Sequence, residues 1–464
     1  MPARVSVRWV LRSMVCALVV ILTVGGGATA HADPPNMMPV PEQVPQTIDR
    51  VIPPPPIPHL RTIPMRSRTT GATHSLQELR EAMMPSPSGD PFFDRWPADL
   101  AARRPGALLF TRDVTPVAGP LVLVPLRYAR QIKFRTVDAS GGPLFGTATL
   151  LVPRTPWRGP GARPIVINNP PIVALGTTCT PGYSMAHGYN SNTNSTDLFP
   201  PLTQLSLAKG YAVIVPDATG ARMAYAEPYV AAHVVLDAVR GAAAYDRHEF
   251  GRGPIGMLGY SGGAIATNAT AKLATGYAPD IVGRFVGAAI GGTPADYRVL
   301  VGAMNANLAS GVFLSAIMGI SREHPEMLPM VNNLGQWLAT SPLRDICTST
   351  IGDLGLGMMP AQLLSKVPDP FRSPVAEDLY RITSMPDRRS PMPLYIYHGT
   401  QEWWIPATQA RALFAEQCRL GANAEYREYL GEHVTTIFTG FPDAFAWLDA
   451  RLRGVPAPNG CPHH

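Results

Sequence analysis

The sequence predicts an α/β protein built on one mostly parallel sheet, with helices over both faces and a helical insertion on top. Three observations carry that expectation. From Pro164 to Tyr397, short apolar runs alternate with helical stretches, the rhythm of parallel strands whose crossovers cover the sheet. One run, Ile255 to Leu258, leads into Gly259-Tyr260-Ser261-Gly262-Gly263 and then an Ala/Thr-rich stretch, a strand–turn–helix with a serine at the turn. Between Pro294 and Arg389 the rhythm stops and methionine-bearing helical segments take over, which sets an insertion over the carboxyl ends of the strands.

Taken in order, residues 1–32 read as a secretory signal peptide. Arg4, Arg8 and Arg12 precede the apolar run Met14 to Val24, and Ala30-His31-Ala32 offers a cleavage site. The run is shorter than a membrane span needs. Its removal takes three arginines and no acid, so the formal charge falls from +6 to +3, too little for a nucleic-acid footprint. Arg50, Arg61, Arg66 and Arg68 concentrate the remaining excess, either on a solvated tail or as a peripheral contact with an anionic envelope surface.

Residues 33–89 are expected to form a Pro-rich linker, largely disordered, since from Asp33 to Pro64 the chain is crowded with proline, four in a row at Pro53 to Pro56, and lacks any apolar period. A short helical signal interrupts it at Ser75 to Arg80, with Ser75 as cap and Glu78 three residues on. Residues 90–464 are then the folded domain, with a helical cap at about 297–389. Its first part, Gln131 to Thr136 and Leu144 to Val152, reads as a β-hairpin around Asp138-Ala139-Ser140-Gly141-Gly142. Parallel strands are expected at Pro164 to Asn168, Tyr211 to Pro216, Pro254 to Leu258, Arg284 to Ile290 and Leu394 to Tyr397, with a further strand at Ala424 to Tyr429. Helices are expected at Glu227 to Tyr245, Gly262 to Thr275 and from near Phe441.

The serine turn reads as a nucleophile elbow, in which Ser261 stands clear of the sheet and only small residues fit two places either side. In such sheets the acid and then the histidine follow the serine along the chain. After Leu394 to Tyr397 the only carboxylate in the next loop is Glu402, with Asp296 after an earlier strand as a substitute and Asp387 on the wrong side of the late strand. Beyond Glu402 the histidines are His433, His463 and His464, and the last two close a Pro/Asn/Gly-rich tail. His433 is therefore the expected base, in a loop before the last helix, while His398 supports the acid loop. The oxyanion hole draws one donor from the Gly262 N–H. The second comes from the loop Asn168 to Gly176, through a later amide such as Ile172 or Val173 or an asparagine side chain, because Pro170 and Pro171 have no N–H.

These positions, with Pro105-Gly106-Ala107-Leu108, Gly141 to Pro153, Gly259 to Ala264, Tyr277-Ala278-Pro279-Asp280 and Gly291 to Asp296, resemble the secretory lipase family, the lipase-A-like α/β-hydrolases of yeasts and actinobacteria. The resemblance spans Asp90 to Arg453. It implies the α/β-hydrolase fold, a helical cap, and hydrolysis of lipid or other carboxylic esters through a serine, an acid and a histidine, which fall here on Ser261, Glu402 and His433. The family's acid is usually aspartate, and its members often carry His-Gly-Thr where this chain has Asn-Pro-Pro.

Four cysteines lie beyond residue 32: Cys179, Cys347, Cys418 and Cys461. An even number in an exported chain implies two disulfides with three possible pairings. Cys179 and Cys347 belong to the active-site side and Cys418 and Cys461 to the last helices, so the pairs Cys179–Cys347 and Cys418–Cys461 are expected, as the resemblance also implies. No cysteine or histidine spacing suits a metal, and no cofactor is implied. Met304, Met318, Met327, Met330, Met358 and Met359 offer the insertion a soft apolar lining for flexible chains.

The chain is thus expected to be a secreted lipase or esterase with a lipid or small ester substrate. An envelope acyltransferase and a catalytically weak lipid-binding or scaffold protein of the same fold are the alternatives. Nothing in the sequence fixes the oligomeric state.

Overall fold

The Val-, Ile- and Leu-rich runs assemble into one sheet in the computed structural model, which describes residues 37–190, 193, 201–347 and 357–462. The signal-peptide segment, His463 and His464 lie outside the described residues. The strands are β1 (Leu108–Asp113), β2 (Leu126–Val137), β3 (Pro143–Pro153), β4 (Ile165–Asn169), β5 (Ala212–Pro216), β6 (Ile255–Tyr260), β7 (Phe285–Gly291), β8 (Leu394–Gly399) and β9 (Ala424–Tyr429). Their order is β1-β2-β3-β5-β4-β6-β7-β8-β9. The pairs from β1 to β5 are antiparallel, the rest parallel. Every residue of β4, β5, β6 and β8 is buried, as a sheet covered on both faces requires. β1 adds an edge strand that the sequence did not mark, because its Leu-Leu-Phe-Thr-Arg-Asp is half-buried or exposed throughout and shows no alternation.

The helices that bear on the site are α1 (Gln43–Val51), α2 (His74–Ala82), α3 (Pro228–Tyr245), α4 (Gly262–Tyr277), α5 (Tyr297–Met304), α6 (Ser310–Ser321), α7 (Asn333–Thr340), α8 (Pro374–Ser384), α9 (Ala407–Arg419) and α10 (His433–Leu452). α3 and α4 bury one face of the sheet around Phe134, Val234, Met257 and Ile290. On the other face α10 sets Trp447 and Leu448 against Leu258 and Tyr395. Strands β4, β6, β7 and β8 pair to their last residues, Asn169 opposite Gly259 and Tyr260 opposite Gly291, so their following loops emerge along one edge. Both disulfides, Cys179–Cys347 and Cys418–Cys461, have the expected pairing.

Residues 37–89 correct the expectation of a disordered linker. They have no core of their own, but their proline-rich backbone offers carbonyls that donors on the insertion satisfy. Trp337 Nε1 donates to Pro53 O (2.7 Å), Asn333 Nδ2 to Ile52 O (2.8 Å) and Gln362 Nε2 to Met38 O (3.0 Å). α2 is capped by Thr73, which accepts from Leu76 N, and not by Ser75. Glu78 turns instead to Leu60 N, 2.7 Å away.

Below α2 lies a buried ionic knot. Arg222 Nη1 donates to Asp138 (3.1 Å) and to both oxygens of Glu323 (3.1 and 3.0 Å), and Arg80 stands 4.0 Å from the same carboxylate. Burial raises the Glu323 carboxyl, and Arg222 and Arg80 oppose that shift. Replacing one partner leaves the others charged and unmatched, so Arg222→Met is expected to cost about 3–5 kcal/mol of stability, read from urea unfolding. An unchanged midpoint would show that the knot contributes nothing net.

Candidate active site

β6 turns sharply at Ser261, whose backbone holds φ 53° and ψ −119°. That conformation is costly for a residue with a side chain. It is fastened by the Ser261 N–H, which donates to Gly291 O at 2.9 Å. Tight packing explains the flanking glycines: a Cβ on Gly259 would strike Gly263 O and the Thr267 hydroxyl, and one on Gly263 would strike the carbonyls of Asn169 and Pro170.

The acid loop follows β8. Glu402 Oε1 accepts from the N–H groups of Trp404 (2.9 Å) and Ile405 (3.2 Å), which fixes the carboxylate plane. His398, fully buried, donates from Nε2 to Ile405 O at 2.7 Å and so braces the loop. Asp296 stands elsewhere, capping α5 through Arg298 N. Asp387 is exposed and pairs with Arg419.

His433 differs from its expected setting. It is the first residue of α10 and not part of a loop, because Glu432 caps the helix by accepting from Val434 N and Thr435 N; Pro442, near the expected start, lies inside the helix. Its ring spans the other two groups. Nδ1 lies 2.6 Å from Glu402 Oε2 and Nε2 lies 2.8 Å from Ser261 Oγ. Tyr260 OH donates to the His433 carbonyl at 2.6 Å, and the Trp404 indole stacks on the imidazole, 5.3 Å between centroids at 15°. Both His433 and Glu402 are almost wholly buried.

The oxyanion candidates divide. Gly262 opens α4, where the first N–H groups have no partner within the helix. The Ile172 amide is committed elsewhere: it donates to Pro170 O at 2.8 Å, across Pro171. The asparagine amides are also engaged, Asn168 Nδ2 with Thr203 and Asn169 Nδ2 with Thr267. Val173 lines the cavity above Ser261.

That cavity has a volume of about 450 Å³ and is walled largely by α5, α6 and their neighbours, including Leu300, Phe313 and Ile317. Met304, Met318, Met327 and Met330 line it as expected. Met358 is instead exposed, and Met359 packs in the cluster around Phe371. Three wall residues escaped the sequence reading. Met83 reaches in from just beyond α2, Tyr225 from the loop before α3, and Trp404 from the acid loop. Trp404 had a signal, two residues from Glu402; the other two come together with Ser261 only through the tertiary fold. Among the described residues no group of His, Cys, Asp and Glu could hold a metal ion, and no helix is long and apolar enough to cross a membrane.

A sheet of this order with a serine raised on a strand–turn–helix at its carboxyl edge defines an α/β-hydrolase. The chain belongs to the secretory lipase family, whose model matches residues 185–460, and the protein is a carboxylic ester hydrolase. It is 28% identical to Lipase 10 of Candida albicans, over 81% of this chain and 83% of that one. A secreted triacylglycerol lipase of Malassezia globosa is 26% identical over 77% of each chain. A probable inactive lipase of Mycobacterium tuberculosis is 27% identical over 82% of this chain and 86% of its own. In fold, Candida antarctica lipase A in its closed state superposes with a TM-score of 0.72 at 22% identity, covering 82% of this chain and 89% of that one.

Proposed function

We propose that the protein is an exported serine lipase or esterase that cleaves carboxylic esters of lipids, with Ser261 as nucleophile, His433 as general base and Glu402 as its orienting acid. The observation that carries this reading is the unbroken series of hydrogen bonds from Glu402 through His433 to Ser261 at one end of an apolar cavity. His433 Nε2 takes the serine proton as Oγ attacks the ester carbonyl. The imidazolium so formed then protonates the leaving alcohol, and water, activated by the same nitrogen, releases the acid from the acyl-enzyme. A wall of Leu, Met and Phe suits a flexible acyl chain. Triacylglycerols, which the name of the Malassezia globosa relative attributes to that protein, fall within this class. Residues 1–32 would direct export and be removed.

The relative described as inactive makes serine reactivity the decisive measurement. A fluorophosphonate probe is expected to label the protein once, at Ser261, and p-nitrophenyl esters of increasing chain length are expected to be hydrolysed with kcat/KM rising beyond acetate. A folded protein that leaves the probe unreacted would instead be a lipid-binding relative of the enzymes.

A further inference from the structure

Of the groups that sequence pattern offers as the second oxyanion donor, the Ile172 amide and both asparagine side chains are engaged elsewhere, and the cavity holds one further donor beside Gly262. Tyr225 lies in the loop between β5 and α3. It is only 5% exposed, and it lines the cavity that holds Ser261. Its ring carbon Cε2, next to the carbon that bears the hydroxyl, is 3.3 Å from the position a Cβ on Gly262 would take. The ring edge therefore borders the first turn of α4, whose N–H groups point outward. Among the described residues the phenol has no hydrogen-bond partner, and its oxygen is not one of the sealed polar atoms, so it is free to meet a ligand in the cavity. Burial alone pushes its pKa well up, so the proton stays on oxygen.

The loop is built to hold this position. Met223 and Ala226, on either side, have positive φ of 52° and 66° without being glycine, conformations that persist only where surroundings impose them. Those surroundings are on the insertion. Arg322 Nη1 donates to Arg222 O and Met223 O, at 3.1 and 2.9 Å, Tyr297 OH donates to Ala226 O at 2.5 Å, and Gly319 leaves room for the Tyr225 backbone.

We propose that Tyr225 is a catalytic residue whose O–H, with the Gly262 N–H, binds the oxyanion of the tetrahedral intermediate. The inference rests on Ser261 being the nucleophile. As Ser261 Oγ bonds to the carbonyl carbon and its proton passes to His433, the C=O π pair moves to oxygen. Tyr225 donates a hydrogen bond to that oxygen and keeps its proton. Collapse of the intermediate restores the carbonyl and expels the alkoxide, which His433 protonates.

The test compares full-length wild type, Tyr225→Phe and Ser261→Ala on p-nitrophenyl butyrate, with thermal unfolding of each. Phenylalanine keeps the ring and its packing and removes only the donor. Expected are a kcat about a hundredfold lower, KM within threefold, an unchanged melting temperature and an unshifted pH profile. Affinity for an alkyl trifluoromethyl ketone, which forms a tetrahedral oxyanion adduct with a serine, should fall by a similar factor. A Tyr225→Phe kcat within threefold of wild type, with Ser261→Ala inactive, overturns this inference alone. Activity retained by Ser261→Ala overturns the nucleophile assignment and this inference with it.

Discussion

Replacing either Ser261 or His433 by alanine is expected to lower kcat on short p-nitrophenyl esters by about a millionfold, roughly 8 kcal/mol of lost transition-state stabilisation. The two losses should not add. Once the hydroxyl is gone the imidazole has no proton to take, and without the imidazole the hydroxyl is a poor nucleophile at neutral pH. The double variant should therefore match each single one. A His433→Ala enzyme within tenfold of wild type would place the base elsewhere. Circular dichroism guards the comparison, because Tyr260 bonds the His433 backbone carbonyl and not its ring, so α10 keeps its anchor.

Glu402→Gln is expected to cost a thousandfold or more in kcat, about 4 kcal/mol. The loop geometry supplies the reason. Oε1 receives two backbone N–H groups, so a glutamine there is held with its carbonyl oxygen toward Trp404 and Ile405 and its NH₂ toward His433. Imidazole Nδ1 must then accept, its proton shifts to Nε2, and the nitrogen facing Ser261 can no longer take a proton. Glu402→Asp should recover only part of the activity, since its carboxylate falls a methylene short of one set of partners. Asp296→Asn should leave kcat nearly unchanged, because asparagine caps a helix about as well as aspartate. A collapse in Asp296→Asn alongside a normal Glu402→Gln would move the acid to the end of β7.

The parts of this molecule that the sequence reveals are those whose cause is local. The serine turn declares itself because its glycines answer a packing demand within two residues, and the parallel strands because burial on both faces makes them uniformly apolar. Glu402 and His433 follow from chain order, which topology constrains. The rest depends on partners far away in sequence. Residues 37–89 are held through backbone carbonyls that accept from Asn333 and Trp337, and through Leu79 and Met83 packed among apolar residues of the insertion. The setting of His433 turned on whether Glu432 caps a helix across a later proline. Tyr225 carries no mark at all, since its nearness to Gly262 exists only in space.

Arg80, buried on α2, donates from Nε to the carbonyl of Arg322, 242 residues further on. A chain synthesised from its N-terminus thus carries α2 for a long time before anything exists to receive its buried guanidinium. Closing so long a loop costs little more entropy than closing half of it, but it cannot begin until the second partner has been made. Met83, just beyond α2, lines the cavity and accepts from Arg322 Nε through its carbonyl. The wall around Ser261 therefore cannot be complete until the chain has been made past residue 322.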